Sequence, residues 1–214
     1  MVTDRAIAVG THGRYLVEVP AGGGPWPLLV GFHGYAEAAE DQLARLRSSA
    51  SAGGWLVVAV QGLHRFYRGR RNDVVASWMT RQDRELAIAD NLAYVAGVID
   101  AVSREWTTDG RVVFGGFSQG VAMAFRAAAH RGAAVVAFGG DVPPELGPAA
   151  LARIPSALIG RGTRDDWYAR DAHESDVRRL RAAGTECEAH AFDAGHEWTE
   201  EVSRAAADFL GRRR

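Results

Sequence analysis

The chain has 214 residues, 47% hydrophobic and 24% charged, a balance that suits one globular domain with a substantial core. Its formal net charge is −1, from 25 basic and 26 acidic residues, so nothing favours nucleic acid or an anionic membrane as a partner. Every basic residue is Arg, which excludes a lysine Schiff base, a pyridoxal-phosphate lysine and a P-loop lysine; the single cysteine, Cys187, excludes a disulfide framework and a cysteine zinc site.

The first residues, from Met1 to Ala6, carry no apolar leader, and no uninterrupted run of about 18 apolar residues occurs, so a cytoplasmic protein without a membrane span is expected. Arg14 to Val19 reads as an early strand closed by Pro20 and a glycine-rich turn. Leu28 to Phe32 is a continuous apolar run, the mark of a strand buried on both faces. Asp41 to Ala52 is a predicted helix broken by Gly53-Gly54, and Trp55 to Val60 is the next buried strand. A polar loop is expected to follow. Its basic and aromatic stretch Arg65-Phe66-Tyr67-Arg68-Gly69-Arg70-Arg71 reads as a solvated segment near the site rim, with anion steering as the alternative.

The strongest helix signal runs from about Arg81 to Trp106, where Ile88, Leu92, Val95, Ile99 and Val102 recur at helical spacing, and Thr80 with Asp83 resembles a capping box. Asp109-Gly110 reads as a turn, Arg111 to Gly115 as a strand, and Val121 to Ala129 as a helix. Ala134 to Phe138 and Ser156 to Gly160 are strand-like. Asp171 to Ala183 is a helix stopped by Gly184, and Glu186 to Phe192 is the last strand, with Cys187 expected to be a buried, inert thiol. The final helix carries Trp198, Val202, Ala205 or Ala206, and Phe209 on one face. Strands alternating with helices predict a single α/β domain over residues 1–214: a mostly parallel central sheet flanked by helices.

The chemistry centres on Gly116-Phe117-Ser118-Gln119-Gly120. A G-x-S-x-G pentapeptide between a strand and a helix is the setting of a nucleophile elbow, a sharp turn that lifts the serine hydroxyl clear of the sheet. Glycine on either side avoids collisions with the adjoining strand and helix, and the Gln119 N–H is left at a helix N-terminus, where it can face a developing anion.

Serine needs a base, and the base needs a carboxylate to hold its tautomer. His196, on the loop after the last strand, is the expected base; His190 and His173 fall inside regular elements, His130 ends the elbow helix, and His12 and His64 precede the serine. Asp165, after the strand ending near Gly160, is the first choice for the acid, with Asp141 after the preceding strand and the adjacent Asp166 as alternatives. The oxyanion hole needs two N–H donors. Gln119 supplies one, and the His33-Gly34-Tyr35-Ala36 turn is expected to supply the other through the Tyr35 N–H, with His33 orienting that turn.

His33-Gly34, Trp78, Gly115-Gly116-Phe117-Ser118-Gln119-Gly120, Gly162-Thr163-Arg164-Asp165 and Gly195-His196-Glu197 together resemble the phospholipase/carboxylesterase family, which includes acyl-protein thioesterases. The resemblance spans nearly the whole chain. It implies an α/β-hydrolase fold without a lid domain, a Ser118-Asp165-His196 triad, no cofactor or metal, and hydrolysis of small carboxylic esters, thioesters or lysophospholipids. His33, Gly34, Trp78, Asp141 and Val142 would then fall near the substrate pocket. The chain departs from the family where Ala36 replaces a common second glycine of the oxyanion loop, at Met79-Thr80 after Trp78, and at Val121 after Gly120. Two rival readings are a binding protein on a hydrolase scaffold and a triad enzyme acting on a peptide or carbon–carbon bond.

Overall fold

The computed structural model describes residues 1–50 and 53–213. Seven strands form one sheet: β1 (Tyr15–Glu18), β2 (Trp26–Phe32), β3 (Leu56–Val60), β6 (Thr108–Phe117), β7 (Ala134–Phe138), β8 (Ser156–Gly162) and β9 (Glu186–Phe192), in the order β1-β3-β2-β6-β7-β8-β9. β1 runs antiparallel to β3; every other pairing is parallel. β4 (His64–Arg68) and β5 (Asp73–Ser77) form a separate antiparallel hairpin.

The helices are α1 (Ala39–Ser49), α2 (Arg84–Glu105), α3 (Gln119–Arg131), the short α4 (Pro148–Leu151), α5 (Arg170–Ala182) and α6 (Glu200–Gly211). They cover both faces of the sheet, as parallel strands require. On one face Val30, Phe32, Phe114 and Val135 pack with Val95, Ile99 and Val102 of α2, Phe125 of α3 and Leu180 of α5. On the other, Leu29, Val57, Val113 and Val136 meet Leu46 of α1 and Phe209 of α6. Each of these larger side chains, fully removed from water, contributes about 1.5–3 kcal/mol. Only the four-residue α4 interrupts the connection between β7 and β8, and among the described residues no lid domain is inserted.

Several local expectations change. The stretch expected as a loop around Arg65 to Arg71 is the β4–β5 hairpin, turning at Gly69 (φ +65°) and Asn72 (φ +55°). Its strand character was hidden because most of its side chains are exposed, so no apolar alternation marks it. The Asp109-Gly110 turn lies inside β6 as an irregularity: pairing with β2 jumps from Trp26–Thr108 to Leu28–Val112, with Gly110 at φ +87°.

Helix α2 starts at Arg84, not Arg81. Thr80 Oγ1 accepts the Gln82 N–H at 3.2 Å in a local turn, and the N-cap, Asp83, sits at φ +50° with no side-chain cap. Its apolar stripe also turns: Ala87 and Asn91 are buried, while Ile88 and Leu92 are only half-buried. Buried Asn91 is held by donating to Trp78 O and Ala87 O at 2.7 and 2.6 Å. By length and composition α2 is apolar enough to cross a membrane, which the run-length reading overlooked; in the fold its Val95, Ile99 and Val102 face belongs to the core. Cys187 is half-buried in β9, and burial pushes its thiol up to about 11. The expected end of the first helix at residue 52 lies outside the described residues.

Candidate active site

The chain reverses its direction of travel across the sheet at the junction of β2 and β6, and a crevice opens there beyond the carboxyl ends of the strands. Each chemical group comes from one of those ends. His33 and Gly34 follow β2, Ser118 follows β6, Asp141 follows β7, Asp165 follows β8 and His196 follows β9.

Ser118 is the N-cap of α3 and sits at φ +52°, ψ −121°, a backbone conformation costing roughly 1–3 kcal/mol for a side chain to hold. The surroundings leave little choice. A Cβ on Gly116 would come within 2.5 Å of Gly120 O, and one on Gly120 would run into the carbonyls of Phe32 and His33. Those are backbone atoms with no freedom to yield, so β6, α3 and β2 touch only because both positions lack side chains.

The result is a continuous chain of hydrogen bonds. Ser118 Oγ is 2.9 Å from His196 Nε2, and His196 Nδ1 is 2.8 Å from Asp165 Oδ2. Asp165 is 4% exposed, and its Oδ1 accepts the N–H groups of Trp167 and Tyr168 at 2.8 and 3.0 Å. The buried carboxylate is therefore fully partnered and fixed in direction, which holds the imidazole with Nδ1 as donor and leaves Nε2 to accept from the serine. Asp141 and Asp166 are exposed and make no such contact. The Phe117 ring packs 5.1 Å from the His196 ring, and Trp167, 87% exposed, stands 6.4 Å away at the rim.

The turn after β2 is built differently. The buried His33 accepts the Gly62 N–H at Nε2 (3.0 Å) and donates from Nδ1 to Gly34 O (2.7 Å). Burial lowers its pKa from the usual 6.5, so it is a neutral backbone strut. Glu37 accepts the Gly34 N–H at 2.7 Å and a two-pronged contact from Arg45 at 2.6 Å on each oxygen. Burial works against the Glu37 charge, but Arg45 and the Gly34 N–H outweigh it and hold its pKa below the usual value. The Arg45 guanidinium in turn lies 4.2 Å from the centre of the Phe117 ring, tying the turn to the residue before the serine. Ala36, where relatives often carry glycine, sits at φ +57°, anchored by its N–H to Ala76 O at 3.0 Å. The Tyr35 N–H makes no hydrogen bond among the described residues.

The cavity around Ser118 has a volume of about 430 Å³. Its walls include Met79, Ala122, Arg126, Asp141, Pro143, Pro144 and Trp167. Larger depressions exist elsewhere, but this one contains the hydroxyl and its base. Of the residues expected at the pocket, Asp141 lines it. His33, Trp78 and Val142 are fully buried behind its wall, and Gly34 belongs to the turn clamped by Glu37. Trp78 acts there as a brace, donating from Nε1 to His33 O at 2.8 Å.

Sequence reasoning missed the Glu37–Arg45 clamp, because Glu37 lies in the turn before α1 and Arg45 on α1, so no single period relates them. It also missed the Gln119 side chain, which accepts the Trp78 N–H at 3.0 Å and donates to Met79 O at 3.1 Å. Arg126 had a visible signal: it is the only charged residue between Ser118 and Ala129, yet it is buried. Among the described residues no group of three or more His, Cys, Asp or Glu is placed to hold a metal.

A mostly parallel sheet, helices on both faces and a strained serine at the turn after a central strand define an α/β-hydrolase. The phospholipase/carboxylesterase family model matches residues 72–212, and the chain belongs to that family of hydrolases. Among solved structures, esterase PE8 is 24% identical, with 94% of this chain and 97% of that one covered at a TM-score of 0.69. The Bacillus cereus carboxylesterase is 18% identical over 94% and 95% of the two chains, at a TM-score of 0.74. Zea mays acyl-protein thioesterase 2 is 20% identical over 94% and 99%, at a TM-score of 0.71. At these identities the structural likeness establishes the fold. No curated protein is a significant match.

Proposed function

We propose that the chain hydrolyses small carboxylic esters or thioesters through a covalent acyl-enzyme on Ser118. The observation that carries this reading is the relay of 2.9 and 2.8 Å contacts from Ser118 through His196 to Asp165. Ser118 Oγ attacks the carbonyl carbon while His196 Nε2 takes its proton. Asp165 stays ionised, orients the ring and stabilises the imidazolium. The N–H groups of Gln119 and Tyr35 receive the oxyanion. His196 then protonates the leaving oxygen or sulfur, the acyl–heteroatom bond breaks, and the acyl group remains on Ser118. A water, deprotonated by His196, attacks the acyl-enzyme; the acid departs and Ser118 regains its proton.

The test combines labelling with substitution. A fluorophosphonate should modify Ser118, and Ser118→Ala should lower kcat by roughly 10⁴-fold or more with the fold intact. Asp165→Asn should cost a comparable factor, while Asp141→Asn and Asp166→Asn cost far less. Retention of more than about a tenth of the activity by Ser118→Ala would overturn the assignment. A crippled Asp141→Asn enzyme beside an active Asp165→Asn would move the acid to the end of β7.

A further inference from the structure

The catalytic cavity shares a wall with a second depression. That depression, of about 540 Å³, runs along α2 and α3, and Ile88, Leu92, Ala129 and Leu146 give it an apolar lining. Two residues line both spaces, Arg84 and Arg126, and Glu145, on the side of the second depression, joins them. They form one cluster. Arg126 Nε donates to Glu145 Oε1 at 2.8 Å, and its Nη2 lies 2.7 Å from the same oxygen. Arg84 Nη2 reaches Glu145 Oε2 at 3.3 Å. The remaining nitrogen of Arg126 faces only a soft acceptor, Met79 Sδ, at 3.6 Å.

The cluster is held in place from both sides. Arg126 is 4% exposed on α3. Glu145 sits on a segment that Arg179 grips by donating to Pro143 O and Leu146 O at 2.9 and 3.1 Å. Arg179 is itself paired with Asp176, which also accepts the Val142 N–H at 2.9 Å.

The direction of the acyl group follows from the route of the proton. The carbonyl oxygen faces the Gln119 N–H, and the leaving atom must face His196 Nε2 to be protonated. The acyl chain is then left to run away from His196, along the face of α3 that carries Gln119, Ala122 and Arg126. From Gln119 to Arg126 is about 10 Å along the helix axis. A short acyl group ends before the cluster. A longer one meets two guanidinium groups backed by the Glu145 carboxylate, and covering them with hydrocarbon removes their remaining solvation without offering a hydrogen bond in return.

We propose that the Arg84–Glu145–Arg126 cluster is a partition that sets acyl-chain length, an inference that rests on Ser118 being the acylated nucleophile. Closed, it restricts the enzyme to short acyl groups. Removed, it joins the catalytic cavity to the apolar groove of Ile88 and Leu92 and admits medium chains. Arg126 and Glu145 are thus specificity-determining residues.

The experiment compares kcat/KM for p-nitrophenyl acetate, butyrate, octanoate and laurate. The wild type and an Arg126→Leu/Glu145→Leu variant, which leaves neither charge buried alone, are assayed together. Arg126→Met, which keeps the length of the side chain, is the second variant should the first not fold. The wild type should favour butyrate over laurate by roughly 100-fold, and the folded variant should shift the laurate-to-butyrate ratio upward by roughly tenfold or more. A wild type that cleaves laurate as fast as butyrate, or an unchanged ratio in a folded variant, overturns the partition. A chain-free fluorophosphonate separates the two levels. Labelling at Ser118 with no chain-length discrimination sinks the partition alone; no labelling and no ester cleavage sinks the catalytic reading beneath it.

Discussion

The turn that carries Ser118 and the turn that carries Tyr35 follow the carboxyl ends of the neighbouring strands β6 and β2, yet they are held by opposite means. The first is held by backbone: Gly116, Gly120 and the carbonyl of Phe32 are so close that the chain has one path, and Ser118 takes a strained φ of +52° as a consequence. The second is held by side chains. His33 bridges Gly62 and Gly34, Glu37 grips the Gly34 N–H, and Arg45 grips Glu37. A backbone-built turn should fail abruptly when one atom is added. A turn built from side chains should degrade in steps as its supports are removed.

Gly120→Ala should therefore have the largest effect. The new methyl would lie against the carbonyls of Phe32 and His33, neither of which can rotate away. A loss of roughly 3 kcal/mol of stability or more, with activity lost alongside, is expected in denaturant unfolding. A stable and active Gly120→Ala protein would show that the elbow is not sterically closed.

Gly34→Val tests the other turn. A Cβ there would stand 3.0 Å from Glu37 Oε2 and 3.3 Å from Phe117 Cδ1, so Glu37 must give way and the turn must shift. Loss of the Tyr35 donor should lower kcat by 10²–10³, or about 2.7–4 kcal/mol, at matched folded fraction. A near wild-type kcat in a folded Gly34→Val enzyme would place the second donor elsewhere. Gln119→Ala makes the contrast sharper. The backbone N–H survives, but the Trp78 N–H loses its acceptor, so stability should fall by about 1–3 kcal/mol while kcat changes far less than in Gly34→Val. A fall in kcat as large as that of Gly34→Val, with stability unchanged, would give the Gln119 side chain a direct part in catalysis.

The buried histidines predict a pH dependence of stability. Burial lowers the pKa of His33 and of His173 below 6.5. In the unfolded chain both take up a proton near their usual pKa, while the folded chain resists it. Stability is thus complete above about 6.5 and is lost as pH falls below it. The thermal midpoint should drop over that window, before the carboxylates titrate, and His173→Gln should make the slope shallower. An unaltered slope in that variant would remove His173 from the account.

The smallest effect, with the opposite sign, is expected at Ala36. Its φ of +57° strains a residue with a Cβ, and glycine relieves that strain by about 1 kcal/mol, partly offset by the greater freedom of the unfolded chain. Ala36→Gly should raise Tm by about 1–4 °C. A lowered Tm would mean that the Ala36 methyl makes packing contacts worth more than the strain.

Wherever a single residue or a short run dictates its own local geometry, the sequence was sufficient to read this protein. A continuous apolar run as short as Leu28 to Phe32, flanked by Pro27 and Gly34, reads as a strand buried on both faces, and a serine between two glycines at a strand–helix junction reads as a tight turn. The family resemblance rested on such segments, and family membership follows from the match over residues 72–212. The β4–β5 hairpin was not readable, because its exposed side chains obey no periodicity and its pairing is a tertiary fact. Nor could the sequence decide among Asp141, Asp165 and Asp166 by their residue type, since all three follow strand ends. Only the packed structure turns Asp165 inward, against the N–H groups of Trp167 and Tyr168, and leaves the others in solvent. The Glu37–Arg45 clamp and the Arg126–Glu145 pair were likewise beyond reach. Ion pairs between separate elements depend on distances that exist only after the sheet has assembled, whereas apolar runs and the contact between Gly116 and Gly120 act within a few residues of chain.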